Sequence, residues 1–267
     1  MAVTPTFTAA PAGRVAFVGA GPGQADLITL RGAQRLAQAD VVLSDALADP
    51  ALRELAPQAR WLHVGKRGFA DSTGQEAINA LLIKSARELG AGGLVVRLKG
   101  GDPSVFGRLE EELQGMAAAG IACEVVPGVT AALAAAASAQ RPLTRRGAGR
   151  SVSFATAMTA TGTEAFHSSG HADTEVFYMA GKQLGALSRK LVRAGWSSET
   201  EVCVVSRAGW PDELSSDHTV GTLGRASLLH AGRPAVVVVG AGARPLNDVR
   251  TSASDKDWAP SAAALNT

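Results

Sequence analysis

The sequence predicts an α/β protein built as two successive α/β units, and three observations lead to that class. Nine apolar runs are mostly too short for helices and mostly end at Gly, Pro or polar residues, as strands do. The first five alternate with longer segments of helical spacing. Residues 140–150, QRPLTRRGAGR, combine Pro, Gly and four arginines and interrupt both periodicities. The boundary is placed there, giving an N-terminal unit over 14–140, a C-terminal unit over 150–243, and flexible tails over 1–13 and 244–267.

The elements follow in order. RVAFVG (14–19) is a strand that stops at a glycine loop, and helical spacing resumes over 26–38. DVVLS (40–44) and RWLHVG (60–65) are the next strands, with a short helical candidate at 50–56 between them. A helix over 75–89 leads to GLVVRL (93–98), a helix over 105–119 leads to ACEVVP (122–127), and an alanine-rich helix follows over 129–139. Such alternation argues for parallel strands with covering helices. Beyond the boundary, strands are expected near 151–156, 174–179, 201–206 and 235–239, with a helix at 183–194. The segment 157–173 is polar and contains Gly and His.

Composition limits the function. A chain of 267 residues with 46% hydrophobic and only 4% aromatic content buries an ample core of closely packed helices and Val-rich strands, and a formal charge of +2 does not announce nucleic-acid binding. The two cysteines, in IACEVV and EVCVVS, read as buried small hydrophobes in a reducing compartment, with no metal set. Without a secretory leader pattern or an apolar run of about 18 residues, the expectation is a cytoplasmic protein with no membrane partner.

Three bare loops carry the functional signal. In VAFVGAGPGQADLITLRGAQ (15–34) glycines stand at 19, 21 and 23, but the dinucleotide fingerprint G-x-G-x-x-G needs its third glycine at position 24, where Gln24 stands. Asp45, after the second strand, keeps a ribose-binding nicotinamide dehydrogenase open as an alternative. GKR at 65–67 is no phosphate loop, because Arg60 occupies the place of the first glycine. In VVRLKGGDPSVFGRLEEEL (95–113) a strand ends at Gly100 and Gly101. The bland reading is a tight turn with Asp102 capping a helix and Pro103 at its first position. VVPGVTAALAAAAS again places small residues after a strand. All three loops lie at the carboxyl ends of strands, where open α/β sheets bind ligands.

Together VGAGPGQADLITLRG, ADVVLSD, VGKR, QEAINALL, VVRLKGGDPSVFGR, VVPGVTAA, PLTRR, VFYMAGK, VVSRA and PAVVVVG, in that order, resemble the tetrapyrrole methylases, and within them the uroporphyrinogen-III C-methyltransferases. The resemblance runs from about Val15 to Gly240. It implies two α/β domains with S-adenosylmethionine in the interdomain cleft, a homodimer, and two methyl transfers to ring carbons of uroporphyrinogen III, giving precorrin-2 by way of precorrin-1 for sirohaem, cobalamin or haem d1 synthesis. The cofactor shell it implies is Pro22, Gly100, Gly101, Asp102, Val105, Thr130, Ala131, Met179 and Ala208, many acting through backbone, so that the bare loop admits cofactor and macrocycle.

Asp45 and Lys66, each at a strand end, match the family's candidates for moving protons around the macrocycle, and Arg108 is a further candidate there. Arg108 and Arg146 match positions that face substrate, whose eight carboxylates suit arginines able to form paired hydrogen bonds, and Glu111 matches an acidic partner on the substrate side three residues after Arg108. No dehydrogenase or ferrochelatase module precedes residue 15, so a monofunctional chain is expected. Departures from the family pattern are Ser44 for Tyr, FADSTGQ without the usual His and Pro, Leu109-Glu110 for Gly-Gly, and Arg145 for His. They leave the cofactor loops intact and loosen the acceptor. The remaining alternatives are a methylase of another tetrapyrrole, the dehydrogenase, and a non-catalytic tetrapyrrole carrier.

Overall fold

The computed structural model describes residues 12–64, 74–158 and 172–246. The first half forms a wholly parallel five-stranded sheet from β1 (Arg14–Gly19), β2 (Val41–Ser44), β3 (Arg60–His63), β4 (Leu94–Lys99) and β5 (Cys123–Val126), in the order β3-β2-β4-β1-β5. The strands β1, β2 and β4 are buried almost throughout, which is why they read as continuous apolar runs rather than alternating ones. Alternate side chains feed two cores. Val18, Val42 and Val96 meet Leu36 of α1 (Leu30–Ala37) and Leu52 of the 3-10 turn Pro50–Leu55. Phe17, Leu43 and Val95 meet Leu82 of α2 (Gln75–Leu89) and Met116 of α3 (Leu109–Ala118).

The second half forms a mixed sheet of β6 (Val152–Thr156), β7 (Thr174–Tyr178), β8 (Glu201–Ser206), β9 (Leu214–Thr219) and β10 (Ala235–Gly240), ordered β6-β7-β10-β8-β9. One face is covered by Leu184, Leu187 and Leu191 of α5 (Leu184–Arg193) and by Leu223. The other is covered by Ala132, Ala134 and Ala135 of α4 (Ala131–Ser138), which lie against Val176, Val205, Val236 and Val238. The alanine-rich helix therefore shares a core with the second sheet, although it follows the last strand of the first. Among the described residues no helix is long and apolar enough to cross a membrane.

Several expected boundaries move, each for a local reason. The helix expected over 26–38 is a 3-10 turn at Ala25–Leu27 and then α1, because extended Thr29 caps the latter by accepting a hydrogen bond from Gly32 N at 3.1 Å. The helix expected from 105 starts at Leu109, since Arg108 before it is left-handed (φ 54°). The helix expected over 129–139 is Ala131–Ser138. The strand β9 was not expected: LSSDHT is polar because it is an edge strand, paired only with β8. Cys203 is buried, but Cys123 lies exposed on the edge strand β5, contrary to the expectation for it, and both are free thiols.

A buried imidazole ties β8 and β9 to α6 (Ser227–His230). His230 is 0% exposed, with Nδ1 2.9 Å from Ser206 Oγ and Nε2 2.8 Å from Ser216 Oγ, while Arg233 Nε donates to Ser206 Oγ at 2.9 Å. Burial first, then the neighbouring His218 and Arg233, hold its pKa below the ordinary value. The unfolded chain thus takes up the proton at higher pH than the fold does. The contribution of neutral His230 is complete above the unfolded pKa of about 6.5 and is lost as pH falls below it. The melting temperature is expected to be flat from pH 8 to 7 and to fall between about 6.5 and 5, with a shallower fall in His230→Gln. An unchanged slope in that variant would assign the acid loss elsewhere.

Candidate active site

Because β1, β2, β4 and β5 are parallel, the loops after them open at one end of the sheet. They are stitched together by backbone. Gly21 N donates to Gly101 O at 3.2 Å and Gly101 N to Gly21 O at 2.9 Å. A Cβ on Gly19 would lie 2.6 Å from Gly128 Cα, and one on Gly128 would lie 2.4 Å from Gly101 O. These glycines are therefore required by loop-on-loop packing, a demand that sequence reading had credited to ligand access. Gly101 differs: its φ is +71°, and an added Cβ would meet nothing nearer than Val129 O at 3.9 Å. That turn presents bare backbone to open space, a cradle that suits a cofactor held by main-chain groups.

In the second sheet β7 and β8 both run antiparallel to β10, so Met179 and Ala208 emerge at the same end. This end meets the first. Gln24 N donates to Gly209 O at 3.0 Å, and the hydroxyls of Thr130 and Tyr178 lie 2.7 Å apart. The loops bearing Pro22, Gly100, Gly101, Asp102, Val105, Thr130, Ala131, Met179 and Ala208 are thereby linked across both halves. Asp102 caps no α-helix, contrary to the bland reading of GGDP. Its Oδ1 accepts from Ser104 N at 2.8 Å and its Oδ2 from Gly128 N at 2.9 Å, joining two of the loops. Phe106, Arg108, Met179 and Arg207 all adopt left-handed backbone, with φ between 52° and 56°. Each costs about 1–3 kcal/mol of strain of the kind that collects at functional sites.

Asp45 heads a buried charge network that sequence reading missed. Its Oδ1 accepts from Arg97 Nη2 at 2.6 Å; Arg97 Nε donates to Glu112 Oε1 at 2.9 Å, and Lys99 Nζ to Glu112 Oε2 at 2.5 Å. Glu112 is fully buried, and Arg97 and Lys99 nearly so. Burial, then Arg97, pushes the Lys99 ammonium below its usual range, against the pull of Glu112. A signal existed: Arg97 and Lys99 occupy alternate positions of the central strand VVRLK, where a charge must find a partner. Lys66 lies outside the described residues.

On the opposite face of β2, Ser44 Oγ lies 2.8 Å from His63 Nδ1, and Arg53 Nη2 lies 2.9 Å from His63 Nε2. A guanidinium only donates, so Nε2 accepts and Nδ1 carries the proton that Ser44 receives. The departure at Ser44 is thus matched by a hydrogen-bonding neighbour.

The arginines divide into held and free. Arg108 pairs through two nitrogens with Glu111, at 2.9 and 2.5 Å, beside an open groove of about 500 Å³ lined by Phe106, Leu109 and Glu110 among others. Arg141 is held by Asp217, and Arg145 donates to the Arg244 carbonyl, so neither stands ready to replace a neighbour. Arg146 is exposed and makes no ion pair among the described residues.

Residues 14–224 match the family model of the Tetrapyrrole (Corrin/Porphyrin) Methylases. The chain belongs to the tetrapyrrole methylases. A methylase of Pseudomonas aeruginosa, uroporphyrinogen-III C-methyltransferase, is 40% identical over 237 residues, covering 85% of this chain and 93% of that one. Siroheme synthase 1 of Yersinia pseudotuberculosis is 44% identical over 234 residues, covering 85% of this chain and 48% of its own. The chain spans about half the length of the siroheme synthases it matches. Among solved structures, the uroporphyrin-III C-methyltransferase of Thermus thermophilus complexed with S-adenosylhomocysteine superposes with a TM-score of 0.74 at 34% identity, over 85% of this chain and 97% of that one. Membership of the tetrapyrrole methylases decides against the nicotinamide-dehydrogenase alternative, and Asp45 is engaged by Arg97.

Proposed function

We propose that this protein is an S-adenosylmethionine-dependent methyltransferase that methylates uroporphyrinogen III twice on ring carbons, giving precorrin-2 by way of precorrin-1. The observation that carries the reading is the meeting of strand-end loops from both sheets around the bare backbone of Gly101, with Asp45 at the end of the neighbouring strand β2. Residues 14–140 and 150–243 are read as its two domains, and the protein as a cytoplasmic homodimer with neither nucleic acid nor membrane as partner.

The loops of Pro22, Gly100 to Asp102, Val105, Thr130, Ala131, Met179 and Ala208 would hold the cofactor, which supplies an electrophilic methyl group. The chain's own residues then have to align the pyrrole carbon, exclude water and move a proton. Asp45 accepts that proton at Oδ2, the oxygen left without a hydrogen bond among the described residues, while Arg97 fixes Oδ1. Lys66 is assigned the complementary proton donation. Arg108 is better read as a carboxylate anchor than as a base, because its hydrogen bonds to Glu111 raise its pKa further. Incubation with uroporphyrinogen III and methyl-labelled S-adenosylmethionine tests the whole. A doubly labelled product is expected, and no methylation of this macrocycle would overturn the reading in favour of another tetrapyrrole.

Arg146 is expected to meet a propionate or acetate of the macrocycle. Truncating one member of a desolvated charge pair costs about 2–5 kcal/mol, roughly 30-fold or more in affinity. Arg146→Ala should therefore lose about that factor in kcat/KM while binding S-adenosylhomocysteine normally. Arg141 and Arg145 are committed elsewhere, which leaves exposed Arg150 as the neighbour able to compensate in part. An unchanged kcat/KM would make Arg146 a solvated linker charge.

A further inference from the structure

Tyr178 ends β7 and is 8% exposed, yet it contacts four residues from three other segments. Its hydroxyl lies 2.7 Å from Thr130 Oγ1 and accepts from Ala132 N at 3.4 Å. Thr130 is the N-cap residue of α4, but its side chain caps nothing; the phenol from the other sheet takes the orphan N–H that an N-cap side chain ordinarily satisfies. With one lone pair given to Ala132 N, the phenol can donate its proton to Thr130, which frees the Thr130 hydroxyl hydrogen to point at a ligand acceptor. Burial above all raises the Tyr178 pKa and keeps that proton in place.

The ring is equally engaged. Phe106 packs on it at 5.0 Å between centroids and 57°, and Phe154 at 5.7 Å and 66°, with both phenylalanines partly exposed. Met179, the next residue, is left-handed and 45% exposed. An anchored Tyr178 is what holds this strained residue in position at the meeting of the two halves.

We propose that Tyr178 is a positioning residue that orients the Thr130 hydroxyl and Met179 toward the cofactor and ties the cofactor loop to the Phe106–Phe154 wall. The inference rests on the methyltransferase reading. Its test is S-adenosylhomocysteine titration of the full chain, together with steady-state kinetics. Tyr178→Phe keeps the ring and loses the hydroxyl, and is expected to weaken S-adenosylhomocysteine and raise KM for S-adenosylmethionine about five- to tenfold, with KM for the macrocycle unchanged. Thr130→Val is expected to show the same loss, and the double variant to be no worse than either single one.

A purely structural role would lower the melting temperature and leave these ratios alone. Unchanged affinity in folded Tyr178→Phe, or strictly additive losses in the double variant, overturns the assignment. Should Tyr178→Phe not fold, unchanged affinity in Thr130→Val overturns it equally. Wild-type protein that fails to bind S-adenosylhomocysteine would instead overturn the methyltransferase reading itself.

Discussion

Glu112→Gln is expected to lose about 3–5 kcal/mol of stability, the size found when one partner of a buried ion pair is removed, out of a total that for most domains is about 5–15. Glu112 is fully buried and is, among the described residues, the only carboxylate bonded to Lys99, while it shares Arg97 with Asp45. A neutral amide leaves two buried cations facing one partly exposed carboxylate. Guanidinium chloride unfolding measures the loss, and a midpoint equal to wild type would show that the network contributes nothing net.

The sign of its pH dependence follows from Lys99, whose folded pKa is depressed by burial and Arg97. In the variant, with the Glu112 charge gone, the folded state releases the lysine proton before the unfolded state does. The stability deficit should therefore shrink as pH rises toward about 10.5. Replacing the trio together, as Arg97→Met, Lys99→Met and Glu112→Leu, removes the charges as a set. Stability should largely return, since apolar residues of similar volume often replace buried ion groups without loss. Methyl transfer should not return, because Asp45 has lost the donor that holds Oδ1. Recovery of both would make the network purely structural.

Gly101→Val is expected to abolish S-adenosylhomocysteine binding, by more than about 100-fold, in a protein that still folds. At φ +71° a β-branched residue is strained, and its side chain would project into the open space of the turn rather than into protein. Gly128→Ala is the contrasting case. There the added methyl would collide with Gly101 O and Gly19 Cα at 2.4 and 2.8 Å, so loop packing and melting temperature should fail together with binding. Isothermal titration with thermal melts separates the two. Normal affinity in folded Gly101→Val would return the double glycine to a simple tight turn.

Much of this architecture was legible in the sequence because its signals are local. Strands buried on both faces read as unbroken apolar runs such as VAFV and VVVV, and the loops that end them are marked by Gly and Pro, so the positions of Gly101, Thr130, Met179 and Ala208 at strand ends could be read directly. Motif order carried the family. What local pattern does not encode is pairing between distant segments. The polar edge strand β9, the antiparallel insertion of β10 between β7 and β8, and the seating of the alanine helix on the second sheet depend on which strands find each other. The same holds for the site. Asp45 stood out at a strand end, but its hold on Arg97, and through it on Glu112 and Lys99, exists only because β2 and β4 are neighbours and α3 crosses them. Likewise, Gly19 and Gly128 are glycines because two loops more than a hundred residues apart pack with their backbones in contact, and Tyr178 reaches Thr130 only once the two sheets have met.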